Sequence, residues 1–176
     1  MKKNTHSNKG DIFHQTEQRL MFRRFLMQAI METLFYLTTI IVLGIWMIRN
    51  AKGNKHYTLF GIMAVVLGFG DSFHLVPRAI ALNTTGLENY TFALGIGKFI
   101  TSITMTVFYI LLYYVWRKRY NISGKQSLTI SIYALASLRI ILCFFPQNAW
   151  TSANAPLSWG IYRNIPFALM GIIIIW

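Results

Sequence analysis

Acidic side chains are scarce in this chain: five Asp and Glu stand against 17 Lys and Arg, a net charge of +12 over 176 residues. Charged residues of both signs together make up only 12%, about half the share found in water-soluble domains, so there is too little polar surface to cover a globule in water. One cysteine, Cys143, excludes an intrachain disulfide framework and a multi-cysteine zinc site. Internal repeats and low-complexity segments are absent, and the loops are too short for a second globular domain. Apolar residues instead reach 55% and aromatics 15%, and the mean hydropathy is +0.44. Most of the positive charge flanks long apolar runs, which argues for a membrane surface as its partner and against nucleic acid.

A run of about 20 apolar residues crosses the hydrocarbon of a bilayer. Residues 25–48 form the first such run, ended by the polar break Arg49 to Lys55. Residues 57–76 form the second, closed by Pro77 and Arg78; 93–116 the third, closed by Arg117, Lys118 and Arg119; 127–145 the fourth, closed by Pro146, Gln147 and Asn148. A fifth opens near Ile161, with Pro166 expected in its tolerated first turn, and is still running at Trp176. Inside lipid only a helix satisfies its own backbone locally, and none of these runs alternates as a barrel strand does. The sequence therefore predicts an all-α fold: a polytopic transmembrane helix bundle of five spans (residues 25–176) behind a basic tail (residues 1–24). A terminal carboxylate just after the fifth run would sit in lipid, so the natural chain is expected to continue.

The tail is not a cleavable signal, because the apolar run behind it is too long and lacks a small-residue cleavage pattern. Its mixture of Ile12, Phe13, Leu20 and Phe22 with Arg19, Arg23 and Arg24 fits a solvated segment and a helix lying at anionic headgroups equally. The loops after spans one and three hold Arg49, Lys52, Lys55, Arg117, Lys118, Arg119 and Lys125. By the bias of short cytoplasmic loops toward Lys and Arg, those loops lie inside a cell membrane and the N-terminus outside, against the vote of the tail itself. Trp116, Trp150, Trp159, Tyr57 and Tyr120 fit an interfacial aromatic belt.

The charges inside the spans carry the functional signal. An ionisable side chain at the bilayer centre costs about 2.5–3.5 kcal/mol on insertion scales, and this chain places Glu32, Asp71, His74, Lys98 and Arg139 within its spans, with Arg78 and Arg163 at their edges. In antiparallel succession Glu32, Asp71, Lys98 and Arg139 fall about 7–11 Å below one surface at 1.5 Å per residue. At 100° per residue, Asp71, His74 and Arg78 lie within about 60° of one another, and Gln28, Glu32, Tyr36 and Thr39 within about 80°. Lys98, Ser102, Thr106, Tyr109 and Tyr113 also lie within about 80°. Such stripes turn into a bundle, and convergence on one chamber is expected.

Asp71 and His74, at i and i+3, are spaced to hydrogen-bond, which would fix the imidazole tautomer for proton transfer. Arg78, Lys98 and Arg139 would hold a phosphate or carboxylate. Glu32, Asp71, His74, Arg78, Lys98 and Arg139 are thus the candidate ligand site, for transport or sensing of a small molecule or an anionic lipid headgroup. Two rivals stand beside this reading: a membrane-embedded hydrolase or transferase with Asp71 and His74 as catalytic acid–base pair, and a structural subunit whose charges pair with a partner's helices. One embedded histidine makes no metal site, and the sequence names no cofactor and no oligomeric state.

Overall fold

A computed structural model describes residues 5–84 and 86–175; the side chains at 5–13, Phe25, Leu26, Ala29 and Glu32 lie outside that description. Every regular element among the described residues is helical. Helix α1 (Thr5–Met31) passes through a π-helical turn (Glu32–Tyr36) into α2 (Leu37–Arg49). Met31 and Leu37, which flank that turn, both keep right-handed helical backbone, so the chain runs on as one rod. Then come α3 (Lys55–Asn83), a short 3-10 turn (Leu87–Tyr90), α4 (Thr91–Arg119), α5 (Gln126–Phe144), a second 3-10 turn (Pro146–Asn148) and α6 (Leu157–Ile175).

Four segments are long and apolar enough to cross a membrane: Lys55–Asn83, Leu87–Arg119, Gln126–Phe144 and Leu157–Ile175. Of the first expected span, the apolar stretch Thr33–Arg49 is seen among the described residues; it takes in most of the π turn and directly follows Glu32, whose side chain is outside them. The last span shifts. Leu157 opens α6 four residues before Ile161, because the segment after Pro156 is already helical. Pro166 is consequently buried inside the helix rather than in its first turn.

Turns and caps follow from local chemistry. Asn54 precedes α3 and its side chain accepts the His56 N–H at 3.0 Å, satisfying one of the orphan donors of a helix start. Gly86 (φ 93°) adopts a left-handed conformation and returns its N–H to the Ala81 carbonyl at 2.9 Å. Arg117, read from the sequence as a membrane-face charge, staples α4 to α5. Its Nε and Nη2 donate to the Ile122 carbonyl at 3.2 Å and its Nη1 to Thr129 Oγ1 at 2.9 Å.

Two kinds of packing hold the bundle. Between α2, α3 and α4 glycines bring backbones together, the device expected where lipid removes the hydrophobic drive between helices. A Cβ at Gly61 would collide with the Gly44 carbonyl, one at Gly70 with the Thr104 side chain, and one at Gly97 with the Phe73 carbonyl. Between α4, α5 and α6 the core is made of bulk: Tyr113, Ile132, Ala136, Met170 and Ile174 are buried together.

Candidate functional site

The first polar group lies where α2, α3 and α4 meet. A π turn accommodates one extra residue and is often found at functional positions. Here it ends at Tyr36, whose hydroxyl donates to Asp71 Oδ2 at 2.7 Å. One turn further along α3, His74 is within electrostatic reach of Lys98, Arg78 and Asp71, so four of the expected site residues do share one neighbourhood. Asp71 and His74 are half-buried, while Arg78 and Lys98 are exposed. The side chain of Glu32 is outside the described residues.

Pro77 explains how α4 comes so close. Lacking an N–H, it leaves the Phe73 carbonyl without its helical donor, and Gly97 of α4 presents a side-chain-free backbone against that carbonyl and the His74 Cα. Lys98, the next residue, is thereby delivered beside His74. Thr101 reinforces the contact by donating its hydroxyl to the Gly70 carbonyl at 3.0 Å. The hydrogen bond expected between Asp71 and His74 is replaced: Asp71 is taken by Tyr36, and His74 Nδ1 is buried with no hydrogen-bond partner among the described residues.

Lys98 also lines a cavity of about 280 Å³. Glu88 and Thr91 form its rim at the start of α4, and Trp150 and Ser152 face them from the loop before α6. Gly95 makes this closure possible, because a Cβ there would run into the Trp150 carbonyl. The cavity thus joins a cation on α4 to the loops at that end of the bundle.

The second polar group lies between α5 and α6. Arg139 is only 4% exposed. Its guanidinium stacks on Phe167 at 3.7 Å and lies within electrostatic reach of Cys143, Arg163 and Tyr109. Arg163 stacks on Trp150 at 4.2 Å and donates from Nη1 to Asn148 Oδ1 at 2.8 Å. Asn148, 1% exposed, donates in turn to the Leu142 and Phe145 carbonyls at 2.7 and 2.9 Å. It caps α5 by satisfying carbonyls that a helix end leaves open. Trp150, assigned from the sequence to the interfacial belt, donates its indole N–H to the Cys143 carbonyl at 2.9 Å. Arg139 therefore sits among the groups of α6 and its preceding loop, and Asp71 among those of α2 and α4.

No protein-family model, curated protein or solved structure matches this chain. Among the described residues, no three His, Cys, Asp or Glu side chains come together as a metal site would need.

Several contributors were not picked out as such by sequence reasoning. Tyr36 belonged to a recognised polar stripe, but its pairing with Asp71 depends on the π turn, which no residue pattern announces. Asn148 and Trp150 occupy an irregular loop, where neither helical periodicity nor hydropathy reports on burial. Pro146 with Asn148 two residues on was the one available sign of a capped, ordered turn.

Proposed function

We infer that this chain is an integral membrane protein that binds a small molecule or an anionic lipid headgroup at the polar end of α2, α3 and α4, in transport or sensing. The observation that carries the reading is the Tyr36–Asp71 hydrogen bond beside His74, with Lys98 reaching from the same neighbourhood into an open cavity. Isolated charges in a membrane segment cost free energy and persist where they act. A half-buried acid held by a phenol, a histidine with a free nitrogen and two exposed cations supply proton acceptors and an anion clamp together.

In this reading Asp71 and His74, with Glu32 one helical turn from Tyr36, exchange protons. Lys98 and Arg78 hold the anionic group at the mouth, and Arg139 adds positive potential from the neighbouring helix pair. The Thr33–Arg49 stretch crosses as a fifth span, completed by the apolar residues before the π turn. The protein resides in the cell membrane, with the loops bearing Arg49 to Lys55 and Arg117 to Lys125 on the cytoplasmic face.

The test uses the full chain in lipid nanodiscs with dihexanoyl phosphatidic acid as the anionic probe and dihexanoyl phosphatidylcholine as the control. Saturable binding of the first, weakened about tenfold in Lys98→Gln (about 1.4 kcal/mol), supports the site. Equal binding of both probes, unchanged in Lys98→Gln, overturns it. Release of phosphate or fatty acid from the probe, lost in His74→Ala, would instead establish a hydrolase built on Asp71 and His74.

A further inference from the structure

The group between α5 and α6 raises a separate question of charge balance. Two guanidinium nitrogens of Arg139, Nε and Nη1, are buried without any hydrogen-bond partner among the described residues. Among the described residues, the groups within electrostatic reach of Arg139 are a thiol, a phenol and a second guanidinium, that of Arg163, with no carboxylate. Arg163 likewise has Cys143 as an electrostatic neighbour besides Arg139. Burying an ion without a counter-ion is costly even after relaxation, and a buried donor left unpaired adds its own penalty. Arg139 shares a hydrogen bond with Cys143, and stacking on Phe167 engages the face of the guanidinium, so Nε and Nη1 stay unsatisfied. Two positive charges on facing helices, one with two buried donors free, have the chemistry to hold an anion.

We propose that the interior between α5 and α6 binds one small, dehydrated monoanion, a halide or a carboxylate, held by Arg139 from α5 and Arg163 from α6. The burial of the Arg139 donors sets the size, since a hydrated or bulky headgroup has no path to nitrogens shut off from the surface. The aromatic walls set the charge. Phe167 and Trp150 stack on the cations and offer no further donors beyond the indole N–H already given to Cys143. A bound anion is therefore met by the guanidinium donors alone, and two free nitrogens on Arg139, with Arg163 already giving one to Asn148, are too few for the oxygens of a phosphate dianion, which favours a monoanion. The bound anion ties α6 to α5 at a level where their packing otherwise brings like charges together. This inference shares Arg139 and Trp150 with the lipid-headgroup reading but needs neither Lys98 nor Asp71, so its failure leaves the Lys98 test standing and the reverse.

Thermal unfolding of the full chain in nanodiscs, in sodium gluconate at constant ionic strength, tests it. Replacing gluconate by chloride, or in a second arm by acetate, is expected to raise the midpoint saturably, by about 3–5 °C at tenfold excess over the dissociation constant. The two arms distinguish a halide from a carboxylate. In Arg139→Met the rise disappears, while the variant in gluconate alone melts no lower than the wild type because an uncompensated buried charge has been removed. No saturable response to either anion, or an undiminished response in Arg139→Met, overturns the proposal. Stabilisation by inorganic phosphate alone overturns the monoanion assignment. Should Arg139→Met fail to fold, radiolabelled chloride and acetate bound per wild-type chain decide between one site and none, and Arg163→Gln is expected to weaken that binding at least tenfold.

Discussion

The two ends of the helix sequence solve the problem of polar groups in a membrane protein differently. Where α2, α3 and α4 meet, backbones approach through Gly44, Gly61, Gly70 and Gly97, and the ionisable groups stay near the edge: Asp71 has a hydroxyl partner, and Lys98 and Arg78 reach outward. Between α4, α5 and α6 the helices are spaced by large side chains, Tyr113, Ile132 and Met170, and Arg139 is buried and Arg163 half-buried, with Asn148 and aromatic rings as their company. Where glycines bring the backbones together, Asp71 and His74 are half-buried and Lys98 and Arg78 exposed. Where bulky side chains space the helices, a guanidinium, that of Arg139, is buried against an aromatic ring.

Four changes would break or sharpen this contrast. The largest effect is expected for Gly97→Leu, which drives a branched side chain into the Phe73 carbonyl. Overpacking a tight site costs about 1–3 kcal/mol and more where backbone is the obstacle, so detergent-solubilised protein should lose its single gel-filtration peak. A monodisperse variant with an unchanged melting point would mean that α3 and α4 do not pack through this glycine. Next is Asn148→Ala, which strips the Leu142 and Phe145 carbonyls and Arg163 of their shared partner. Leaving buried polar groups unpaired costs about 2–4 kcal/mol here, expected as a drop of about 5–10 °C in midpoint. Tyr36→Phe should cost less, about 1–2 kcal/mol for a hydrogen bond to a carboxylate, while exposing Asp71 to solvent protons. Chemical denaturation in mixed micelles would measure it, and a neutral result would remove Tyr36 from the site. The smallest effect belongs to Tyr133→Phe: its hydroxyl meets Tyr114 at 2.8 Å in an exposed position, and a shift above about 0.5 kcal/mol in the same assay would show that this contact is less solvated than it looks.

The expectation of one chamber illustrates what residue spacing conveys. Depth and helical face were readable for Asp71, His74, Arg78 and Lys98, because both depend only on rise and rotation per residue. These four share one neighbourhood. Arg139 matched them in depth as well, yet its neighbours are Phe167, Arg163 and Cys143. Depth leaves the angular order of helices around the bundle undetermined. The Asp71–His74 bond was inferred from i,i+3 spacing alone, and a residue 35 positions earlier in the chain competed for the same carboxylate. Pro166 was misplaced for a simpler reason: hydropathy marks where apolar character begins, whereas α6 starts at Leu157 within a polar stretch.

Composition and run length by themselves determined the helical, membrane-compatible character of this chain. The reason is local: an apolar segment without water must satisfy its backbone within itself, and that requirement is written residue by residue. Which charges meet was decided only in three dimensions. Glycine positions, a π turn and a freed carbonyl set how closely helices approach and how they rotate, and those distances arise between segments far apart in the chain.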